Sequence, residues 1–354
     1  MRMGKIYTAL GLMSGTSMDG VDASIISSID GVEYDEKFNR YYEYDRELYQ
    51  NISSIRDKIF TSSDLKKFSE ELKLLEKEIT LFHAKVVNDL SHSVKRSPIP
   101  KPEIIGFHGQ TIYHNPKEKI SVQLGDGKLL SQLTKKTVVY NFRQNDLIND
   151  GQGAPLTPIF HESLRDKVYG DSIPVIFINI GGITNVTCFD DKFHEPMFAS
   201  DVGPGNCLID EWVRKNSKNK YDKNGLIAKS GKTNELILNQ ALENFGVTFN
   251  SSLDIKDFDI SFVRGLSLED GASTITNFTA EIIATNLEKL LNKNEYNSGD
   301  HFVPNFIVCG GGRKNKYLMD LLSKNILEKI RYDKFEIIDE HNIDGDFIES
   351  QAFA

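Results

Sequence analysis

The segment Gly11-Leu-Met-Ser-Gly-Thr-Ser-Met-Asp-Gly20 ends a short apolar run with glycines and small hydroxylated residues. Such a turn lets backbone amides approach phosphate oxygens closely, and it can equally close a plain hairpin. The residues in question are Gly15, Thr16, Ser17, Met18, Asp19, Gly20, Val21 and Asp22, with Ser14 just before them a candidate substrate contact. Asp19 and Asp22 flank the turn and have the oxygen chemistry to hold a magnesium ion, often through water. The Lys-Ser/Thr ending of a Walker loop is missing. Gly181 and Gly182, inside Ile178-Asn-Ile-Gly-Gly-Ile-Thr-Asn185, repeat the same logic in the second half of the chain. Gly310, Gly311 and Gly312 make a third glycine turn ahead of Asn315, now between a strand and a helix whose N-terminus favours anions. One such turn is weak evidence. Three in these contexts point to a ligand that carries phosphates.

Three polar segments supply further candidates. Gly106-Phe-His-Gly-Gln-Thr111 sets His108, Gln110 and Thr111 just past a strand end, where binding residues tend to sit. His108 reads either as a ligand contact or as a hydrogen-bonded structural histidine. In Asn141-Phe-Arg-Gln-Asn-Asp146, followed by Gly151-Gln-Gly-Ala-Pro155, Arg143 suits contact with an anion and Asp146 suits proton abstraction. Loop aspartates also form turns, so type alone leaves Asp146 open. Asp201, in Asp201-Val-Gly-Pro-Gly-Asn206, opens another glycine turn and can cap a helix, bind metal or face substrate.

The elements that must position these residues alternate in type. Strands are expected at Ile6–Met13, Val21–Ile29, Glu103–Phe107, Ser121–Leu124, Thr137–Tyr140, Val175–Ile180, Thr184–Phe189, Asn305–Cys309 and Phe335–Ile338. Leu65, Phe68, Leu72, Leu75, Ile79, Phe82, Val86 and Leu90 recur at three- and four-residue steps, one face of a single long helix. The prolines of Ser97–Pro102 end it. Further helices are expected from Ala154–Pro155 and over Cys207–Lys215, Asn234–Phe245, Leu268–Leu291 and Tyr317–Ile330. Alternating strands and helices define an α/β protein. Two hairpin-like units with glycine turns, Ile6–Ile29 and Val175–Phe189, suggest two related lobes that close on a ligand.

Composition narrows the class. The 354 residues include 42 Lys+Arg and 51 Asp+Glu, a net charge of −9, which argues against a nucleic-acid or anionic-membrane partner. No run approaches the roughly 18 apolar residues of a membrane helix. Met1–Lys5 leads into a strand-like segment, not a signal-peptide core, so the expected compartment is the cytoplasm. Cys188, Cys207 and Cys309 have no paired spacing, which reads as reduced thiols and not as a zinc site.

Together, GLMSGTSMDGVDASI, GFHGQTIYHNP, VQLGDG, FRQNDLINDGQGAPLTP, INIGGITNVT, SDVGPGN and VCGGGRKN resemble the anhydro-N-acetylmuramic acid kinase family, in family order from Gly11 to Asn315. The resemblance implies a two-lobed actin-like ATPase (ribonuclease H-like) fold with a nucleotide cleft between the lobes. It places an N-terminal lobe at 1–136, completed by 340–354, and a C-terminal lobe at 137–339. It implies ATP and Mg2+ as cofactors, a small anhydro amino sugar as substrate and a homodimer. Gly15–Asp22 and Gly181–Gly182 match its phosphate loops, and Gly310–Gly312 the turn beside the adenosine. Asp146 matches its catalytic aspartate. His108, Gln110 and Thr111 match a segment on the sugar side, and Glu349 matches an acidic residue near the C-terminus. Two departures stand out: Asn149-Asp150 replaces small residues, and the family's last helix continues beyond the position of Ala354, implying looser packing or a lost substrate contact here. The implied reaction couples hydrolytic opening of a 1,6-anhydro ring to phosphorylation. The rivals are a kinase for another sugar or a carboxylic acid, and an actin-like or chaperone-like ATPase. The Phe142-Arg-x-x-Asp146 and Gly151-Gln-Gly153 segments favour the sugar kinase.

Overall fold

Two sheets organise the chain, each begun by a hairpin. The computed structural model describes residues 5–29, 33–94, 99–170, 173–190, 198–245, 252–293 and 303–354. Met1–Gly4 of the N-terminal reading, and Ser97 and Pro98 of the expected helix break, lie outside them. The chain divides into one unit of Met1–Thr157 with Asp346–Ala354, and another of Pro158–Gly345. The sequence reading put the first boundary at 136/137 and the return at 340. Residues 137–140 fall in the first unit because they form a strand paired with Ile104–Phe107.

In the first unit, β1 (Ile6–Ser14), β2 (Gly20–Ile29) and β3 (Glu33–Glu43) form an antiparallel meander. The helices α1 (Arg46–Lys58), α2 (Ser62–Lys67) and α3 (Ser69–Val94) follow. Asp45 caps α1 by accepting from the Leu48 amide, and Leu48, Ile52 and Ile55 turn one apolar stripe into the core. The helix expected as a single one over 65–90 is two, because Phe68 leaves helical geometry at φ −102°, ψ 19°. A capping box of Thr61 and Asp64 starts the shorter piece.

Strand β4 (Ile104–Asn115) returns parallel to β1. It is twice as long as expected, so His108, Gln110 and Thr111 lie within it and not past its end. Its first half pairs with β1 and β6, and its second half with β5 (Ile120–Leu124), which keeps it extended. After β5 come α4 (Gly127–Thr134), β6 (Thr137–Tyr140) and the short α5 (Gln144–Ile148). The sheet order is β3-β2-β1-β4-β5, with β6 on β4. Leu10, Leu12, Val21, Ile25, Ile52, Ile79, Ile105 and Phe107 form its core.

The second unit opens with α6 (Pro158–Val168), which starts at Pro158 and not near Ala154–Pro155. Strands β7 (Val175–Ile180), β8 (Ile183–Phe189) and β9 (Phe198–Pro204) make another meander. Then come α7 (Cys207–Asn216), α8 (Leu226–Ser230), α9 (Glu235–Asn244), α10 (Leu268–Lys293), β10 (Asn305–Cys309), α11 (Lys316–Lys329) and β11 (Phe335–Ile337). The order is β11-β10-β7-β8-β9, with β10 parallel to both β7 and β11. β7 and β10 are buried at every position, as strands covered on both faces must be. α10 is buried on most sides, and Ser267 Oγ caps it by accepting from the Asp270 amide.

Counted along β1–β4 and β6, the first sheet runs third-second-first-fourth-fifth, and the second sheet repeats that order and strand sense. This is the ribonuclease H-like arrangement, present in each unit.

The last helix, α12 (Ile348–Phe353), belongs to the first unit. Gly11 and Gly106 face each other in the β1–β4 register. A Cβ at Gly11 would fall 1.8 Å from the Ser350 carbonyl oxygen, and one at Gly106 would fall 1.6 Å from that of Phe353. The paired glycines therefore make a bare spot on the sheet where a helix backbone can rest. Among the described residues no helix is long and apolar enough to cross a membrane.

Candidate active site

The β1–β2 turn is tied down by its carbonyls. Gln110 Nε2 donates to the Gly15 carbonyl at 3.0 Å, Arg56 Nη1 to that of Thr16 at 3.4 Å, and Ser14 Oγ to that of Gly20 at 3.1 Å. The Tyr44 amide donates to the Asp19 carbonyl at 2.8 Å, and the Met18 amide to that of Gly15 at 3.2 Å. Met18 sits at φ +58°, a left-handed conformation that lets the chain double back there. Thr16 and Ser17 are exposed, and a side chain on Gly15 would have no atom nearer than Ser17 Oγ at 4.0 Å. A bare backbone thus faces open space, as a phosphate group requires.

Asp19 accepts from Ser17 Oγ at 2.5 Å and is hydrogen-bonded to Tyr41. Burial, then the negative charges of Asp19, Glu43 and Asp22, push the Tyr41 phenol well above its ordinary range. Asp22 lies opposite Tyr41 in the β2–β3 register. Among the described residues no group of three or more His, Cys, Asp or Glu forms a metal cage. Two carboxylates beside a phosphate turn nevertheless fit magnesium, which keeps waters and takes its remaining ligands from nucleotide phosphates.

A hydrogen-bond relay joins three of the other candidates in this unit. His108 Nδ1 bonds the Gly109 carbonyl at 2.8 Å, and its Nε2 accepts from Arg143 Nη2 at 2.9 Å. Arg143 Nη1 donates to the Gly153 carbonyl at 2.6 Å, and the Gly153 amide donates to Asp146 Oδ2 at 2.6 Å. Burial, then the Arg143 charge, drives the His108 pKa down to about 3, so the ring stays neutral and can accept from the guanidinium. Asp146 is exposed, with one carboxylate oxygen oriented by the Gly153 amide. A Cβ at Gly151 would lie 2.1 Å from that carboxylate, so a side chain there would displace it.

Phe353 rests on His108 and Phe142, with ring centroids 4.8 and 5.0 Å apart, so α12 buttresses the relay. Thr111 Oγ1 accepts from Gln123 at 3.3 Å. Glu349 is half-buried on α12.

In the second unit the β7–β8 turn is held by backbone. The Gly205 and Cys207 amides donate to the Gly182 carbonyl at 2.9 and 3.3 Å, and the Asn206 amide to that of Gly181 at 2.8 Å. The glycines after β10 divide by role. Gly310, at φ +76°, and Gly312 are packed so tightly that a Cβ would collide with Asn179 or Ile180, whereas Gly311 is exposed with open space above it. Buried Arg313 pins this turn through the Gly310 carbonyl at 3.0 Å and a two-pronged contact with Asp339. Asn315 Oδ1 caps α11 by accepting from the Leu318 amide at 3.0 Å. Asp201 is placed within β9, not in a turn, and its carboxylate accepts from the Leu253 amide at 2.8 Å and Ser252 Oγ at 3.1 Å. Cys188, Cys207 and Cys309 are free thiols.

The sequence reading passed over Arg56, Tyr44 and Phe353, all of which act on the site through other groups. The signal for Arg56 was the Asp45 cap followed by Leu48, Ile52 and Ile55 at helical spacing. Nothing in the sequence pattern marks Phe353, which touches the relay only through the fold.

Comparison with known proteins gives the family. The anhydro-N-acetylmuramic acid kinase family model matches residues 7–354. The anhydro-N-acetylmuramic acid kinase of Pelagibacter ubique is 52% identical over 355 residues, covering 99% of this chain and 91% of the relative. Kinases of the same description from Agrobacterium fabrum and Brucella canis are 33% and 35% identical, each covering 99% of this chain and 91% of its own length. Two sheets of one topology, three glycine turns and full-length similarity converge: the chain belongs to the anhydro-N-acetylmuramic acid kinase family.

Proposed function

We propose that this kinase opens the 1,6-anhydro ring of anhydro-N-acetylmuramic acid with water and phosphorylates the freed oxygen from ATP. The products are N-acetylmuramic acid 6-phosphate and ADP. The observation that supports this most is the relay from His108 through Arg143 and Gly153 to an exposed, oriented Asp146.

In this reading Asp146 takes a proton from the water that attacks the anomeric carbon. The bond from that carbon to the sixth oxygen breaks, and the departing oxygen attacks the γ-phosphorus of ATP, releasing ADP. Ordinary glycoside hydrolysis needs a second carboxylic acid to protonate the leaving oxygen. Capture by a phosphoryl group removes that need, so one carboxylate suffices. Arg143, with two guanidinium nitrogens committed to His108 and Gly153, orients the Asp146 loop. The amides of Thr16 and Ser17, the Gly181–Gly182 turn and the bare backbone at Gly311 serve ATP. Thr111, Asp201 and Glu349 remain assigned to the sugar side, and His108 acts on it through Arg143. Asp19 and Asp22 would hold Mg2+, which offsets charge on the phosphates when bound. The cytoplasm, where ATP is available, is the proposed compartment.

The test is ADP release with anhydro-N-acetylmuramic acid beside ordinary N-acetylmuramic acid, run in oxygen-18 water. Turnover with the anhydro sugar and label at the anomeric carbon are expected. Phosphorylated product without label there overturns the coupled mechanism. ATP turnover stimulated by peptide or polymer, and not by the sugar, overturns the kinase reading.

A further inference from the structure

We infer that Gln110 and Arg56 are positioning residues for the nucleotide: they draw the carbonyls of the β1–β2 turn inward and so leave the Thr16 and Ser17 amides for phosphate. This rests on reading Gly15–Asp22 as a phosphate turn, and it moves Gln110 from a sugar contact to a support of the turn. Gln110 lies opposite Ser14 in the parallel β1–β4 register, with no exposed surface. Its Nε2 donates to the Gly15 carbonyl, while its Oε1 is buried with no hydrogen-bond partner among the described residues. An unpaired buried acceptor costs stability, so global stability does not explain an amide at this place. Its donor, directed at the turn, does.

Arg56 comes to the same turn from α1, itself 5% exposed. It donates to the Thr16 carbonyl and contacts Met18 Sδ at 3.9 Å, the side chain of the residue with left-handed backbone. Together with Ser14 Oγ and the Tyr44 amide, these donors occupy the carbonyls of Gly15, Thr16, Asp19 and Gly20. The amides of Thr16 and Ser17 make no hydrogen bond among the described residues. The turn is therefore polarised, with acceptors satisfied from within the unit and donors left over at an exposed edge. That is the pattern an anion needs.

Gln110→Met keeps the volume and removes both the donor and the unpaired acceptor; Arg56→Lys keeps the charge and loses the planar fork. Two measurements on the full chain test the inference. Without nucleotide, hydrogen exchange at the Met18 amide, which closes the turn, should quicken about five- to tenfold in each variant. Calorimetry with magnesium and ADP should show a dissociation constant raised by about the same factor, with the KM for the sugar within about twofold of wild type. Gln110→Met should melt no lower than wild type, which separates positioning from a structural role. Unchanged exchange and ADP affinity, or a raised sugar KM with ADP affinity intact, overturns the inference. A wild-type chain that binds no ADP removes the phosphate-turn reading itself, and the inference with it.

Discussion

The two units share a strand order but secure their first hairpin turns differently. At the β1–β2 turn, side chains from β4, α1 and β1 reach the carbonyls beside two backbone amides: Gln110, Arg56 and Ser14. At the β7–β8 turn, the amides of Gly205, Asn206 and Cys207 do that work, and in that unit a side chain, Arg313, holds only the later turn after β10. The first unit buries His83 and His108, with Tyr44 bonded to Ser14 at 2.7 Å, and the second buries His161 and Arg165 among its apolar residues. A turn held by side chains can be adjusted one residue at a time, and a turn held by backbone fails only where a side chain intrudes. The unit with the adjustable turn also carries the proposed acid–base group, Asp146.

The sharpest way to break this division is to set Asp146→Asn against Gly311→Val. The first should lower kcat by a factor on the order of 10²–10⁴ while leaving ADP affinity and melting temperature unchanged. The second should raise the KM for ATP about tenfold and leave kcat within a few-fold. Steady-state kinetics on both variants decides it, and near-normal turnover by Asp146→Asn removes the chemistry from the first unit.

Gly205→Ala tests the backbone-held turn. Its Cβ would lie 2.3 Å from the Gly181 carbonyl oxygen, so denaturant titration should show a loss of about 1–3 kcal/mol, with weaker ADP binding. Full stability with normal binding would show that the second turn does not depend on that approach.

Acid should separate the units. Burial lowers the pKa of His83 to about 4, and burial together with Arg143 lowers that of His108 to about 3; burial alone lowers that of His161, in the second unit, to about 3. The unfolded chain binds these protons near pH 6.5 and the folded chain refuses them until about 4 to 3. Their contribution is therefore fully present above pH 6.5 and declines as pH falls through that window. Two such groups lie in the first unit against one in the second. The single tryptophan, Trp212, reports on the second unit alone. During acidification the circular-dichroism change should precede the Trp212 fluorescence change, and coincident transitions would contradict the asymmetry.

The mildest test is Ser14→Ala, which deletes two buried hydrogen bonds and should cost about 1–2 kcal/mol in a thermal or denaturant melt.

Much of the second unit was legible. β7 and β10 are mostly apolar runs, each between a proline and a glycine, and both match the expected limits. β3 was passed over because Glu33–Glu43 is charged and lies at the sheet edge, where one side of the ladder is solvated. β4 was read at half its length, since His108, Gln110 and Thr111 look like loop residues until β5 is seen to pair with Gln110 and Thr111. Phe68 fits the apolar stripe yet breaks the helix, because periodicity records which face a residue occupies and not its dihedral angles. At the proposed site, the glycine turns could be picked out by residue type, and Asp146 only through the family's Phe-Arg-x-x-Asp pattern. Of the supports, Arg56 was marked only by the helix that carries it, its partner lying 40 positions away, and Phe353, 245 positions from His108, was not marked at all.

The seat formed by Gly11 and Gly106 has a consequence for biogenesis. Ribosomes deliver residues 346–354 after the whole of 158–345, so the first unit, begun earliest, is finished last. Until then its sheet displays an unfilled glycine notch and His108 lacks the Phe353 ring. The nascent chain accordingly has a complete second unit before the loop that carries Asp146 has a settled address.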